Sequence, residues 1–221
     1  MKDEEQKEIL NLDEAAAYLR VSEETLRGWV GTGELPAARK GDSFRFQTSE
    51  LKSWAKEQLT IDQAEPIRIK DVLSPERTLI LKDPHKRESL QALIDILAET
   101  DQVKDPIELK EGIFKREELM STGIGLGIGV PHVRLASISN LTMAMGVSRA
   151  PIRDYISLDG KPVHIVCLLA AGKYQHGEYL KTLAAISARL KRPLFREMIL
   201  HAPDAAAIYG IMVNQAGSDH A

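Results

Sequence analysis

The sequence predicts an α/β protein in two parts. The first is a small N-terminal helix-turn-helix unit with a hairpin; the second is a C-terminal α/β sandwich with a mixed sheet flanked by helices. Three observations carry this. Residues 1–60 hold two short helical patterns joined by the tight link Arg20-Val21-Ser22. Thr60-Ile61-Asp62-Gln63-Ala64-Glu65-Pro66 is polar and patternless. Beyond it, apolar runs of strand length are mixed with helical spacings, which is the pattern of an α/β sandwich. The expected division is therefore residues 1–60, a linker over 61–67, and a second domain over 68–215.

Each element has a local reason. Asn11 and Glu14 form an N-x-x-E start signal of capping-box type before Ala15, Ala16, Tyr18 and Leu19. Ser22 opens a second short helix, from Glu23 to about Gly31, with Leu26, Trp29 and Val30 on its apolar face. Two short helices so joined read as helix-turn-helix. A small hairpin follows, with Ala37-Ala38-Arg39-Lys40, a turn at Gly41-Asp42, and Phe44-Arg45-Phe46. Thr48 starts a third helix carrying Leu51, Trp54, Ala55 and Leu59.

In the second part, residues 69–81 read as a short helix and a strand. Asp83-Pro84 and Asp105-Pro106 each pair a cap with a first-turn proline. The first of these precedes Leu90, Leu93, Ile94 and Leu97 at i, i+3, i+4, i+7. Leu141–Val147 and Val163–Leu169 read as strands, the latter a continuous apolar run suited to burial on both faces. Asp159-Gly160-Lys161 is a turn. Leu180, Leu183, Ala184 and Leu190 mark a long helix, and two short helical stretches close the chain.

Composition bounds the function. The 221 residues are 43% hydrophobic with formal net charge −3, enough apolar content for real cores. A single cysteine, Cys167, allows no internal disulfide and no cysteine metal cluster, which suits a reducing, cytoplasmic compartment. No apolar run approaches the ~20 residues that span a bilayer, so no membrane insertion is expected. Nothing calls for a cofactor or a metal.

The organising stretch is Ser121-Thr122-Gly123-Ile124-Gly125-Leu126-Gly127-Ile128-Gly129-Val130-Pro131-His132. Period-2 alternation is extended-chain spacing, and it would put Ile124, Leu126, Ile128 and Val130 on one side of a fully extended strand. The opposite, glycine side would let another backbone or a ligand approach closely. Pro131 stiffens the chain just before His132. No Lys-Ser/Thr follows the glycines and the spacing G-x-G-x-x-G never occurs, so neither nucleotide loop is present.

Lys115-Arg116-Glu117-Glu118-Leu119-Met120 followed by that stretch resembles the phosphohistidine signature of phosphotransferase-system Enzyme IIA domains, fructose/mannitol and nitrogen-regulatory branch. The resemblance runs from about Ile69 to His201. It implies that His132 accepts a phosphoryl group from an HPr-type phosphocarrier protein. It implies an arginine at Arg116, sixteen residues earlier, whose planar fork suits phosphate oxygens. It also implies a second histidine at the start of a long helix, a place that His176 fits, donating to the phosphoryl group or orienting His132. Thr122 is a candidate hydroxyl donor to the same group. The family commonly has alanine where Gly129 stands, a departure expected to loosen the backbone before His132. His85, His164, His201 and His220 match no motif and read as surface or packing residues, and Cys167 reads as core.

The N-terminal part, from Leu12-Asp13-Glu14-Ala15-Ala16 through Gly33-Glu34-Leu35-Pro36 to Trp54, resembles the excisionase/MerR-like winged helix-turn-helix family. The resemblance implies DNA as a partner. Arg27 would face the major groove, while Arg39, Lys40 and Arg45 would contact the backbone or minor groove. Charge cuts the other way: residues 1–60 hold nine basic and twelve acidic side chains, whereas DNA readers carry a basic footprint. A protein-interaction module is the other reading of this unit. Together the two resemblances imply a phosphorylation-responsive regulator. The alternative is an Enzyme IIA component that passes phosphate to a separate IIB protein, and IIB or a regulatory protein is the downstream partner in either case.

Overall fold

A computed structural model describes residues 8–41, 43–59, 68–82 and 85–213. They form two compact units. One holds residues 8–59 together with Arg192–Glu197; the other holds 68–191 and 198–213. The expected division would have left Arg192–Glu197 in the second unit.

The first unit follows the expected order: β1 (Ile9–Leu10), α1 (Leu12–Leu19), α2 (Glu23–Gly31), β2 (Ala38–Lys40), β3 (Ser43–Gln47) and α3 (Thr48–Leu59). The three strands make one antiparallel sheet in the order β1-β3-β2. Local chemistry sets the helix ends. Asn11 accepts from the Glu14 amide at 2.9 Å, and Glu14 accepts from the Asn11 amide at 2.8 Å, a complete capping box. Ser22 accepts from the Thr25 amide at 3.0 Å. Arg20 ends α1 in the left-handed region, φ 57°, which turns the chain sharply into α2. Leu26, Leu35, Phe46 and Leu51 are buried in one cluster with Trp29, Trp54 and Leu194. The two tryptophan rings lie 5.5 Å apart, and the Trp54 indole donates to the Glu34 carbonyl at 2.8 Å.

The second unit begins with two short 3₁₀ turns, Ile69–Asp71 and Pro75–Arg77, in place of one expected helix. Then come β4 (Thr78–Ile80), α4 (Lys86–Ala98), α5 (Pro106–Leu119), β5 (Gly123–Gly125), β6 (Ile128–Gly129), β7 (His132–Leu135), β8 (Thr142–Ile156), β9 (Pro162–Gly172), α6 (His176–Leu190), α7 (Pro193–His201), whose residues 193–197 belong to the first unit, and α8 (Ala205–Val213). The Asp83-Pro84 start signal lies outside the described residues. Asp105 caps α5 by accepting from the Ile107 and Glu108 amides, both at 3.0 Å. The sheet is mixed. Its order is β4-β8-β9-β6-β5, with β7 also on β9. β9 is its buried axis: Val163, Val166 and Leu168 are fully buried, as the unbroken apolar run predicts.

Both β6 and β7 run parallel to β9 on the same edge, β6 at Ile165–Val166 and β7 at Leu169–Gly172. Pro131 sits between them and still accepts from the Leu169 amide at 2.9 Å. The glycine stretch is therefore not one long strand. β5 and β6 form a tight antiparallel pair, with Gly123 opposite Gly129. Gly125, Leu126 and Gly127 all take positive φ at its tip. This overturns the one-sided pattern: Ile128 and Val130 are buried, while Ile124 and Leu126 face solvent. The bare glycine positions do receive close neighbours. A Cβ at Gly123 would come within 2.7 Å of the Ile156 carbonyl oxygen, and one at Gly129 within 2.6 Å of the Tyr155 ring and hydroxyl. Gly129 thus makes room for Tyr155, instead of loosening the chain before His132. Among the described residues no helix is long and apolar enough to cross a membrane.

Candidate functional site

His132 opens β7, half-buried, immediately after the proline break. Its Nδ1 lies 2.6 Å from the Val130 carbonyl oxygen. A carbonyl only accepts, so Nδ1 carries the proton. The neutral ring then presents Nε2 with a free lone pair. The imidazole is oriented by the backbone two residues upstream, a geometry that Pro131 stabilises by fixing φ between the two groups.

Two side chains that the sequence reading missed stand beside it. Arg134 is two residues along the same strand, so it projects from the same face as His132. Tyr179, on α6, packs its ring 5.8 Å from the His132 ring, tilted by 59°. The Arg134 guanidinium lies 5.7 Å from the Tyr179 ring centre. Burial pushes the Tyr179 phenol up, and the positive charges of Arg134 and Arg116 oppose that shift. Arg116 is thereby within electrostatic reach of the same phenol. It belongs to the last turn of α5, and one of its guanidinium nitrogens donates to the Met120 carbonyl at 2.8 Å. The two missed residues had signals: strand alternation for Arg134, and helical i+3 spacing from His176 for Tyr179.

His176 is the first residue of α6 and is exposed. The ring packed on His132 is Tyr179, one turn further on. Thr122 does not open toward His132. It is buried, its hydroxyl donates to Glu117 Oε2 at 2.5 Å, and it shares a 2.8 Å hydrogen bond with the Tyr155 hydroxyl. Glu117 also accepts from the Thr122 amide at 2.9 Å and pairs with Lys86 at 2.8 Å. This buried network anchors the start of the hairpin, since the Thr122 carbonyl accepts from the Val130 amide at 2.9 Å. It therefore acts on His132 through the backbone. Burial, then the Glu117 charge, pushes the Tyr155 phenol up as well. The hairpin tip is held from afar: Asp159 accepts from the Leu126 amide at 2.8 Å and from Ser157. These hydrogen bonds, Ser157 first, bring its carboxyl down to about 2.

The remaining candidates are structural. Cys167 is fully buried and its thiol is pushed up to about 12 by that burial. His164 meets the Ser148 carbonyl at 3.2 Å, and His85 lies 3.9 Å from Asp154. His220 lies outside the described residues. Among those described, no group of three or more His, Cys, Asp or Glu could hold a metal.

In the helix-turn-helix unit, the outward face of α2 carries Glu23, Glu24, Arg27, Gly28 and Gly31. Arg27 lies 3.6 Å from Glu23. In the hairpin, Arg39 donates to the Gly41 carbonyl at 3.2 Å and Arg45 to the Phe44 carbonyl at 3.0 Å. The Lys40 side chain lies outside the described part.

The family of the phosphoenolpyruvate-dependent sugar phosphotransferase system, EIIA 2, matches residues 71–215, and a helix-turn-helix domain family matches residues 9–59. A nitrogen regulatory protein of Pseudomonas aeruginosa is 33% identical over 149 residues, covering 67% of this chain and 96% of that one. The fructose-specific EIIABC component of Bacillus subtilis is 35% identical over 137 residues, 62% of this chain but only 21% of that protein. The crystal structure of nitrogen regulatory protein IIA-Ntr from Neisseria meningitidis covers 65% of this chain and 98% of its own, at TM-score 0.60 and 26% identity. The mannitol IIA structure from Escherichia coli, at 19% identity and TM-score 0.54, shares the fold. A mixed sheet that presents a backbone-oriented histidine after a Gly-rich hairpin, and a family match across the whole of that sheet, lead to one statement: the chain belongs to the EIIA 2 family of the phosphoenolpyruvate-dependent sugar phosphotransferase system, with a helix-turn-helix domain preceding it.

Proposed function

We propose that this protein is a phosphorylation-responsive regulator of the nitrogen-type phosphotransferase branch, in which His132 accepts a phosphoryl group from an HPr-type phosphocarrier and couples it to DNA binding. The observation that carries the first half is the 2.6 Å contact between His132 Nδ1 and the Val130 carbonyl, which leaves Nε2 as the nucleophile. In the transfer, the P–N bond of the carrier's phosphohistidine breaks and the Nε2–P bond forms, while the proton stays on Nδ1, hydrogen-bonded to the Val130 carbonyl. Positioning and charge stabilisation supply most of the catalysis in such a step. Arg116 faces the incoming oxygens. His176, on the first turn of α6, lies where helix amides favour anions. Thr122 takes part by fixing the hairpin. The similarity to nitrogen regulatory proteins supports the branch. The helix-turn-helix match supports DNA as the second partner, through Arg27, Arg39, Lys40 and Arg45. We place the domain boundaries at 1–60 and 68–215 and the protein in the cytoplasm.

The test is direct. A phosphoenolpyruvate-driven phosphate chain should label the wild type and leave His132→Ala unlabelled; equal labelling of both would remove the assignment. A gel shift at controlled salt, with genomic fragments, should show binding that Arg27→Ala and Arg45→Ala weaken.

One observation favours a second reading. The outward face of α2 pairs its single cation with an acid. That favours an Enzyme IIA component donating to a separate IIB protein, with the helix-turn-helix as a protein-interaction module. Under that reading, no fragment shifts at low salt, and phosphate passes from labelled protein to a IIB partner.

A further inference from the structure

We infer that Arg134 and Tyr179 form the far side of the phosphoryl cradle at His132, with the Tyr179 hydroxyl, not a second imidazole, donating to the transferred group. This rests on the reading of His132 as acceptor, and adds to it two residues outside the pattern that the family resemblance supplies.

The geometry begins with the strand. His132 and Arg134 are i and i+2 on β7, so both side chains leave one face of the sheet. Tyr179 covers that face: its ring is 5.8 Å from the imidazole and 5.7 Å from the Arg134 guanidinium carbon. One phenol thus touches both strand residues. Only 7% of Tyr179 is exposed, so its position is set by packing and not by solvent. Arg116 acts electrostatically on the same phenol from the end of α5. The Tyr179 ring therefore stands beside both the imidazole and the Arg134 guanidinium, and the Arg116 charge reaches the same phenol. Neither Arg134 nor the Tyr179 hydroxyl has an ion pair or hydrogen bond to a protein group among the described residues. Two other arginines of the same unit donate to carbonyls: Arg77 to those of Met143 and Val72, and Arg149 to those of Leu200 and Ala202.

A transferred phosphoryl group brings three oxygens and close to two negative charges. Two guanidinium forks and a phenol supply the donors that these oxygens need, and donors aimed at developing charge are the main catalytic device for such a step. Burial pushes the Tyr179 phenol up, so its hydroxyl keeps a proton to donate. An imidazole in its place would alternate between donor and acceptor as it titrated. The chain accepts the group without any new proton movement: Nε2 gains phosphorus, the donor's P–N bond breaks, and Nδ1 keeps its proton, which it donates to the Val130 carbonyl.

The experiment uses the full chain and potassium phosphoramidate as a small chemical donor, so that carrier docking does not enter. Tyr179→Phe keeps the ring and its packing but removes the hydroxyl. Arg134→Gln removes the charge and fork. Each should accept phosphate about ten- to a hundredfold more slowly than wild type, the size expected for one charge-assisted hydrogen bond. Each should also shift the phosphorus resonance of the phosphohistidine, which loss of packing alone would not do. Arg134→Lys should recover part of the rate, since a point charge replaces a fork. Unfolding midpoints for Tyr179→Phe and Arg134→Gln close to wild type are expected. Wild-type rates and an unmoved resonance in either variant would overturn the cradle. If His132→Ala itself still takes up phosphate, the parent reading fails. If His132→Ala is dead and the two cradle variants are normal, only this inference fails.

Discussion

The two units handle their polar groups in opposite ways. In the helix-turn-helix unit, polar groups are local and mostly at the surface. Caps join residues three apart, Arg27 pairs with Glu23 one turn away, and Arg39 and Arg45 donate to carbonyls within two residues. In the second unit the polar groups around the hairpin are buried and distant in sequence. Glu117, Thr122, Tyr155 and Lys86 come from four elements and loops to meet at 2.5–2.9 Å. Local capping gives a scaffold that is cheap to form and leaves an outward face free for recognition. A buried long-range network instead fixes one geometry, which a reacting histidine requires. The comparison predicts where each unit is fragile.

The largest effect should come from breaking the buried network. Glu117→Ala leaves the Lys86 ammonium and the Thr122 hydroxyl and amide without their carboxylate. Removing one partner of a buried pair typically costs about 3–5 kcal/mol. Denaturant titration of the full chain, followed by a probe in the second unit, should show a fall in midpoint of that order. A change below about 1 kcal/mol, the level of exposed pairs, would mean that the network is not what fixes the hairpin. Gly129→Ala comes next. Its Cβ would sit 2.6 Å from the Tyr155 ring and hydroxyl, and overpacking of this kind costs about 1–3 kcal/mol. Tyr155→Leu should relieve part of it, so the double variant should be less destabilised than the two single changes added together. Strict additivity would show that the crowding lies elsewhere. In the first unit the matching change is Trp54→Phe. It removes the 2.8 Å bond to the Glu34 carbonyl while keeping much of the ring, for a loss of about 1 kcal/mol.

The same contrast decides what could be read from the sequence. Capping boxes, proline starts and the buried axis of the sheet were legible because their causes lie within a few residues. The Asn11–Glu14 and Asp105 caps are of this kind. The hairpin inside the glycine stretch was not. Alternation cannot distinguish a strand from two half-strands when the turn contains glycine, and the residue that completes the turn is Leu126, whose positive φ no side-chain preference announces. Its amide is held by Asp159, 33 residues away. Tyr179 was passed over for His176 because the resemblance selects a residue type, whereas contact with His132 is decided by which turn of α6 reaches the strand. Leu194 in the first unit's cluster is a long-range packing fact with no local mark.

The smallest effect tests the recognition face. Glu23 and Glu24 occupy the first turn of α2, where they complement the helix dipole. If α2 enters the major groove, the same carboxylates face phosphates, and local stability opposes affinity. Glu23→Gln with Glu24→Gln also releases Arg27 from its 3.6 Å pair. The doubly neutral variant should bind DNA about three- to tenfold more tightly at low salt, a screened Coulomb effect that fades as the Debye length shortens. It should lose about 0.3–1 kcal/mol of stability per charge removed from the dipole. Gel shifts at two salt concentrations separate the outcomes. Tighter binding that vanishes with salt places α2 against DNA. Unchanged affinity, with the stability loss still present, shows that the acidic turn serves only the helix and that this face meets another protein.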